Sequence, residues 1–374
     1  MRRLSGRPAV LAAFTALLVA GCAGGTRGKE GGGTLEPAAL AALEAQRPAY
    51  PNDPVLHLRL ARAYYAAQRY ADARQAIDVV RRVQPSNAEA DAYHGLLFEA
   101  LAHYDSARAV YTRILAARPP RRVERLLTGR LTLLARKELV LAARLALARE
   151  SLLVRTAPDP NTVAVMPFRY TGRDSALRPL ERGLAALVVT DLSRVRRLRL
   201  VERERLQALL DELRLAASGR VDPATGARSG RLTGAAQVVQ GQFQEVPTAH
   251  FRIDAAVVRS SDAGVAATGT SSDQLRALFD IEKAVVFQLL ERMGITLTPA
   301  ERTAISERPT RDLQAFLLYS RGLEEQDRGD LAGAARSFQA AVQRDPGFAA
   351  AAQQASVSAA AADAAAAPAQ EVAA

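Results

Sequence analysis

Few side chains in this sequence are able to do covalent, acid–base or metal chemistry. There is one cysteine, Cys22, among 374 residues, and there are four histidines, His57, His94, His103 and His250. A thiol can attack, bind a soft metal or accept an acyl chain, but a single thiol forms no internal disulfide. His57, His94 and His103 fall in helical sequence, where a packed or solvated imidazole is expected rather than a metal ligand. No nucleophile elbow, phosphate loop, dinucleotide glycine motif or HExxH zinc helix occurs. Glu202, Glu204, Asp211 and Glu212 lie among Arg203, Arg205 and Arg214, a pattern that reads as surface ion pairing on a helix. Arg194, Arg196, Arg197 and Arg199 suit either an anionic partner such as lipid or polysaccharide, or a solvated strand edge. Only Lys29, Lys137 and Lys283 are lysines among the 50 basic residues, a bias that reflects codon composition rather than a nucleic-acid surface. The expectation is a chain with no catalytic residues, no metal, no cofactor and no nucleic-acid partner.

What precedes Cys22 gives that thiol a role. Arg2, Arg3 and Arg7 form a positive head, and residues 9–20 are an apolar run. The run has about twelve residues, the length of a signal-peptide core and well short of the roughly twenty a spanning helix needs. It ends at Leu18-Val19-Ala20-Gly21-Cys22, which resembles the lipobox of bacterial lipoproteins. The resemblance implies cleavage before Cys22, acylation of its thiol and anchoring to a membrane. Ala23 stands where, in the enteric pattern, an aspartate favours inner-membrane retention, so the implied address is the periplasmic side of the outer membrane. Residues 22–36 are glycine-rich and read as a flexible tether. Removal of residues 1–21 leaves 353 residues with net charge +8, enough for two or three domains.

Internal repeats dominate the next stretch. Pro51, Pro85 and Pro119 are 34 residues apart. Leu60, Ala61, Tyr64, Tyr70, Ala73, Ile77 and Val80 are answered 34 positions later by His94, Gly95, Phe98, Tyr104, Ala107, Tyr111 and Ile114. The pattern resembles the tetratricopeptide repeat, a pair of antiparallel helices per unit. Its small residues allow close helix approach, and its prolines stop each second helix. Gly129, 34 residues after Gly95, marks a degenerate third unit that lacks the small residue (Leu141) and the stopping proline (Leu153). Gly322, Ala334, Phe338, Ala341 and Pro346 reproduce the offsets of one further unit. Such a unit needs neighbours, and docking on the central domain, on the N-terminal repeats or on another subunit are all open. The alanine-rich tail after Phe348 reads as one solvating helix or as disorder. By position, the resemblance assigns partner binding to first-helix residues, Arg62 and Tyr65 in one unit and Leu96 and Glu99 in the next.

The central segment changes period. Residues 163–168 form a short buried strand, Pro179 opens an amphipathic helix, residues 198–201 form a second strand, and Leu206 to Leu213 a second helix. Three strands follow, at 237–246, 251–258 and 265–270, and a long helix over 275–293 closes the segment. The order β-α-β-α-β-β-β-α predicts an α/β domain with a mixed sheet, flanked by all-α repeats.

Specific residues in this segment carry a further resemblance. They are Val163-Ala164-Val165-Met166-Pro167-Phe168, Gly183-Leu184 through Thr190-Asp191-Leu192-Ser193, and Val201-Glu202-Arg203-Glu204-Arg205-Leu206 through Leu209-Leu210. Gly219-Arg220-Val221-Asp222-Pro223, Leu232-Thr233-Gly234-Ala235 and Val238-Val239-Gln240-Gly241 complete the series. The segment resembles the curli-assembly lipoprotein family (CsgG/HfaB-like) and, more distantly, the N-terminal domain of TolB. That resemblance implies an envelope lipoprotein that binds other proteins and helps assemble surface structures. A homo-oligomeric ring is open. The expected divisions are 1–21 signal, 22–36 tether, 37–155 repeats, 162–298 α/β domain, 310–348 C-terminal repeat unit and 349–374 tail. The leading expectation is a protein-binding scaffold. A secretion-channel subunit, or an accessory subunit of an envelope enzyme or carbohydrate-binding complex, are the alternatives.

Overall fold

A computed structural model describes residues 37–153, 158–214, 221–246 and 250–373. The signal, Cys22 and the tether lie outside the described residues. Six helices open the structure: α1 (Pro37–Gln46), α2 (Pro54–Ala66), α3 (Tyr70–Val83), α4 (Ala88–Ala100), α5 (Tyr104–Ala116) and α6 (Arg121–Ala148), with a short α7 (Glu150–Leu153). The first helix of each repeat starts where the sequence can cap it. Asp53 accepts from Val55 N at 2.9 Å with Pro54 at the first helical position, and Asn87 accepts from Ala90 N at 2.9 Å. Gln68 and Ala102, at equivalent positions of the two units, turn each hairpin in the left-handed region, at φ 58° and 59°. Inside the second hairpin a methyl on Gly95 would sit 2.4 Å from the Tyr111 ring, so only glycine lets α4 and α5 approach this closely.

The third unit departs from the expected hairpin. α6 runs unbroken for 28 residues. Its turn would fall at Leu134-Ala135-Arg136-Lys137, four good helix formers with no glycine or proline among them, so nothing stops the helix.

The central elements are β1 (Thr162–Val165), β2 (Arg169–Tyr170), α8 (Leu180–Ser193), β3 (Arg199–Leu200), α9 (Arg203–Glu212), α10 (Pro223–Thr233), β4 (Gln237–Val246), β5 (His250–Arg259), β6 (Val265–Gln274) and α11 (Leu278–Arg292). The sheet order is β3-β1-β4-β5-β6, with β2 beside β4. β1 pairs parallel with β3 and β4, and β4-β5-β6 is an antiparallel meander, so the sheet is mixed. Alternation divides its faces. Val163, Val165, Val239, Phe243, Phe251, Ile253 and Val257 join residues of α8 and α11 in the main core. Ala164, Met166 and Val238 pack with Leu206 and Leu210 of α9 on the other side. α10 is absent from the sequence-based order. Asp222 caps it through Ala224 N and Thr225 N, Pro223 opens it, and Gly234 ends it at φ 75°. β6 also runs four residues past the expected Thr270.

Five helices complete the chain: α12 (Pro299–Ser306), α13 (Leu313–Asp327), α14 (Leu331–Arg344), α15 (Ala349–Ala366) and α16 (Ala369–Ala373). Of the docking sites open in the sequence, the C-terminal helices take two within the same chain. α13 packs on α8, and Phe316 meets Phe279 edge-on at 5.3 Å. α15 packs on α6. A methyl on Gly129 would lie 2.0 Å from the Ala360 carbonyl oxygen and 2.7 Å from the Ala364 Cβ. The alanine-rich segment is therefore an ordered helix at the place where a second helix of the third repeat would sit.

Candidate protein-binding face

The first helices α2, α4 and α6 build the face on which tetratricopeptide units present side chains. Arg62 is ion-paired with Glu89 of α4 and stays partly exposed. Tyr65 is wedged between the rings of Tyr70 and Tyr93, at 5.6 and 5.8 Å, and burial raises the pKa of its hydroxyl. Tyr93 beside it is pushed up to about 12 by the same desolvation. The two residues of the second unit do not match the expectation of a free surface. Leu96 is 0% exposed, in one apolar cluster with Leu126, Leu127, Ala364, Val372 and Ala373. Glu99 accepts from the Tyr111 hydroxyl at 3.1 Å, from Lys137 Nζ at 2.9 Å and from Arg130 at 3.4 Å. The carboxylate is taken up in holding α4, α5 and α6 together, because α6 continues where a hairpin turn would have uncovered it. Arg62 and Tyr65 stay partly exposed, whereas Leu96 and Glu99 are buried.

The residues that cover this face come from the far end of the chain, and the spacing of the repeats gives no sign of them. α16 packs against α4 and α6, both first helices. Val372 is 0% exposed and Ala373 7%. Arg122 of α6 pairs with Glu371, and Arg125 with Asp363.

Two of the histidines serve packing. The His57 ring is buried, with Nε2 2.9 Å from the Pro51 carbonyl, and His94 lies 4.4 Å from the Phe98 ring. Burial lowers the pKa of both. Among the described residues no group of three or more His, Cys, Asp or Glu is placed to hold a metal. The Glu202–Arg214 cluster is less superficial than expected. Arg203, its side chain 12% exposed, bonds Asp327 of α13 at 2.6 Å and shares it with Arg182 of α8 at 3.4 Å. Arg136 of α6 donates to the Gln326 carbonyl at 2.7 Å, so repeats, α/β domain and C-terminal helices meet at one polar hub.

Residues 155–245 match the family of the curli production assembly/transport component CsgG, and residues 37–97 match a tetratricopeptide repeat family. The chain carries a CsgG-type domain behind tetratricopeptide repeats. Lipoprotein GNA1162 from Neisseria meningitidis is similar to 31% of this chain over 81% of its own length, at 17% identity and a TM-score of 0.27. The LpoB C-terminal domain from Salmonella enterica is similar to 33% of this chain over 90% of its own, at 14% identity and a TM-score of 0.24. No curated protein matches the sequence. The CsgG match ends within β4, so β5, β6 and α11 lie beyond it.

Proposed function

We propose that this chain is a lipid-anchored scaffold on the periplasmic side of the outer membrane, in which the repeats recruit an envelope protein and the CsgG-type domain joins an envelope or surface-structure assembly. One observation carries the reading. A CsgG-type domain is packed between repeat helices from both ends of the chain, so a partner held on the repeats is placed rigidly beside that domain. Acylated Cys22 supplies the attachment, with residues 22–36 as a spacer, since multiple acyl chains give stable anchoring.

Two measurements test this. Cys22→Ser should move the protein from the membrane fraction to the soluble or unprocessed pool, with the diacylglyceryl mass lost from the N-terminal peptide. A variant still tightly membrane-bound would remove the anchor from the proposal. Crosslinking in intact cells should capture an envelope protein through the repeats, and capture of none would remove the scaffold role.

A further inference from the structure

The helix α16 has only five residues, yet it is helical and buries Val372 completely. A segment that short has no helical stability of its own, because nucleation alone is unfavourable. The surface beneath it must therefore impose the conformation. That surface is the first-helix face of α4 and α6, and the opening of α6, Arg121-Arg122-Val123-Glu124-Arg125, sets three arginines at its edge. Arg122 takes Glu371 and Arg125 takes Asp363, while Val372 and Ala373 enter the apolar cluster that contains Leu96 and Leu126. Ala367 and Pro368 separate α16 from α15, and proline cannot continue the preceding helix. α16 can thus leave without unravelling α15.

We propose that the face between α4 and α6 is a docking site for a short helix carrying an acidic residue beside a small apolar pair, and that residues 369–373 occupy it in cis until such a partner segment displaces them. The inference rests on the reading of the repeats as a binding face and adds the chemistry of the partner and the way the site is held closed. One valine, one alanine and exposed ion pairs make a weak latch, but a tethered segment competes at an effective concentration in the millimolar range. A free segment of the same chemistry is therefore excluded from the intact chain and admitted once the latch is loosened.

The test uses the full chain and a fluorescein-labelled synthetic peptide of residues 361–374, followed by anisotropy. Val372→Asp places a charge where the apolar cluster was, and Glu371→Arg breaks the latch from its exposed side without touching the core. Circular dichroism checks that each keeps its helix content. Both variants should bind the peptide at least about tenfold more tightly than the unaltered chain, and a control peptide with aspartate at 372 should not bind. Equal binding to all three proteins, binding to none, or binding of the control peptide would overturn the proposal. The scaffold reading fails separately. Peptide binding without capture of any envelope protein sinks that reading alone, and capture unchanged by both variants sinks this one alone.

Discussion

Glu282, Asp191 and Lys283 meet where α11 crosses α8, and all three side chains are buried. Lys283 Nζ donates to Asp191 at 2.5 and 2.7 Å and lies 3.4 Å from Glu282. One ammonium cannot balance two buried carboxylates. Burial, with the nearby Asp191 charge, holds the Glu282 pKa well above the usual carboxylate value of 4.5. Asp191 is also raised by burial, with Lys283 opposing. A carboxyl whose folded pKa is raised contributes stability that is full below its unfolded pKa and is lost as pH rises through the folded one. Glu282→Gln fixes the neutral form. Its melting temperature should therefore hold up better than that of the unaltered protein as pH rises from below 4.5 to neutrality, with Asp191 leaving a residual slope. Parallel profiles would show that Glu282 is ionised in the fold. None of this was legible in the sequence, since Asp191 and Glu282 are 91 positions apart. Leu96 and Glu99 misled for a related reason. Position within a repeat specifies the face but not what covers it.

At the scale of elements, the hairpins α2–α3 and α4–α5 were readable because the 34-residue period fixes both the small contact residues and the stops. The mixed sheet was readable from the element order β-α-β-α-β-β-β-α, which joins crossover connections to consecutive strands. α10 carried its own signals, an Asp-Pro start and a glycine end, but its interior has too few apolar residues to declare a face. The role of α15 depends on a partner some 230 positions away, which no local pattern encodes. Gly95 and Gly129, 34 residues apart, make the contrast testable. Gly95→Leu meets the buried ring of Tyr111, and overpacking of that kind costs about 1–3 kcal/mol. Gly129→Leu meets the backbone carbonyl of Ala360, so α15 itself must move. Hydrogen exchange should show amides of α15 and α16 losing protection in Gly129→Leu while those of α2 and α3 keep it. Gly95→Leu should loosen α4 and α5 first. If α15 stays protected in Gly129→Leu, α15 does not complete the third repeat.

The described residues of the central domain leave no segment free to make a membrane hairpin, although the domain matches a transport-component family. A membrane β-strand needs about 9–11 residues, so one hairpin takes roughly twenty or more beyond the soluble sheet. β4 and β5 are paired from Gln237–Arg259 to Val246–His250, and only residues 247–249 join them. β5 and β6 are linked by residues 260–264, and a single 3-10 turn, Leu275–Ala277, leads from β6 into α11. The inward side chains of these strands, Phe243, Phe251, Ile253 and Val257 among them, are committed to the core against α8 and α11. They are not available to face lipid. Elsewhere in the domain, residues 171–179 lie between β2 and α8, and residues 213–222 between α9 and α10. Both stretches are shorter than one hairpin. No described helix is long and apolar enough to cross a membrane either. A ring of subunits built on this sheet would therefore stop at the membrane surface. Planar-bilayer recordings on purified, lipidated protein should show no single-channel steps beyond those of a control preparation. Reproducible steps of defined conductance would restore the secretion channel and require the meander to refold on insertion.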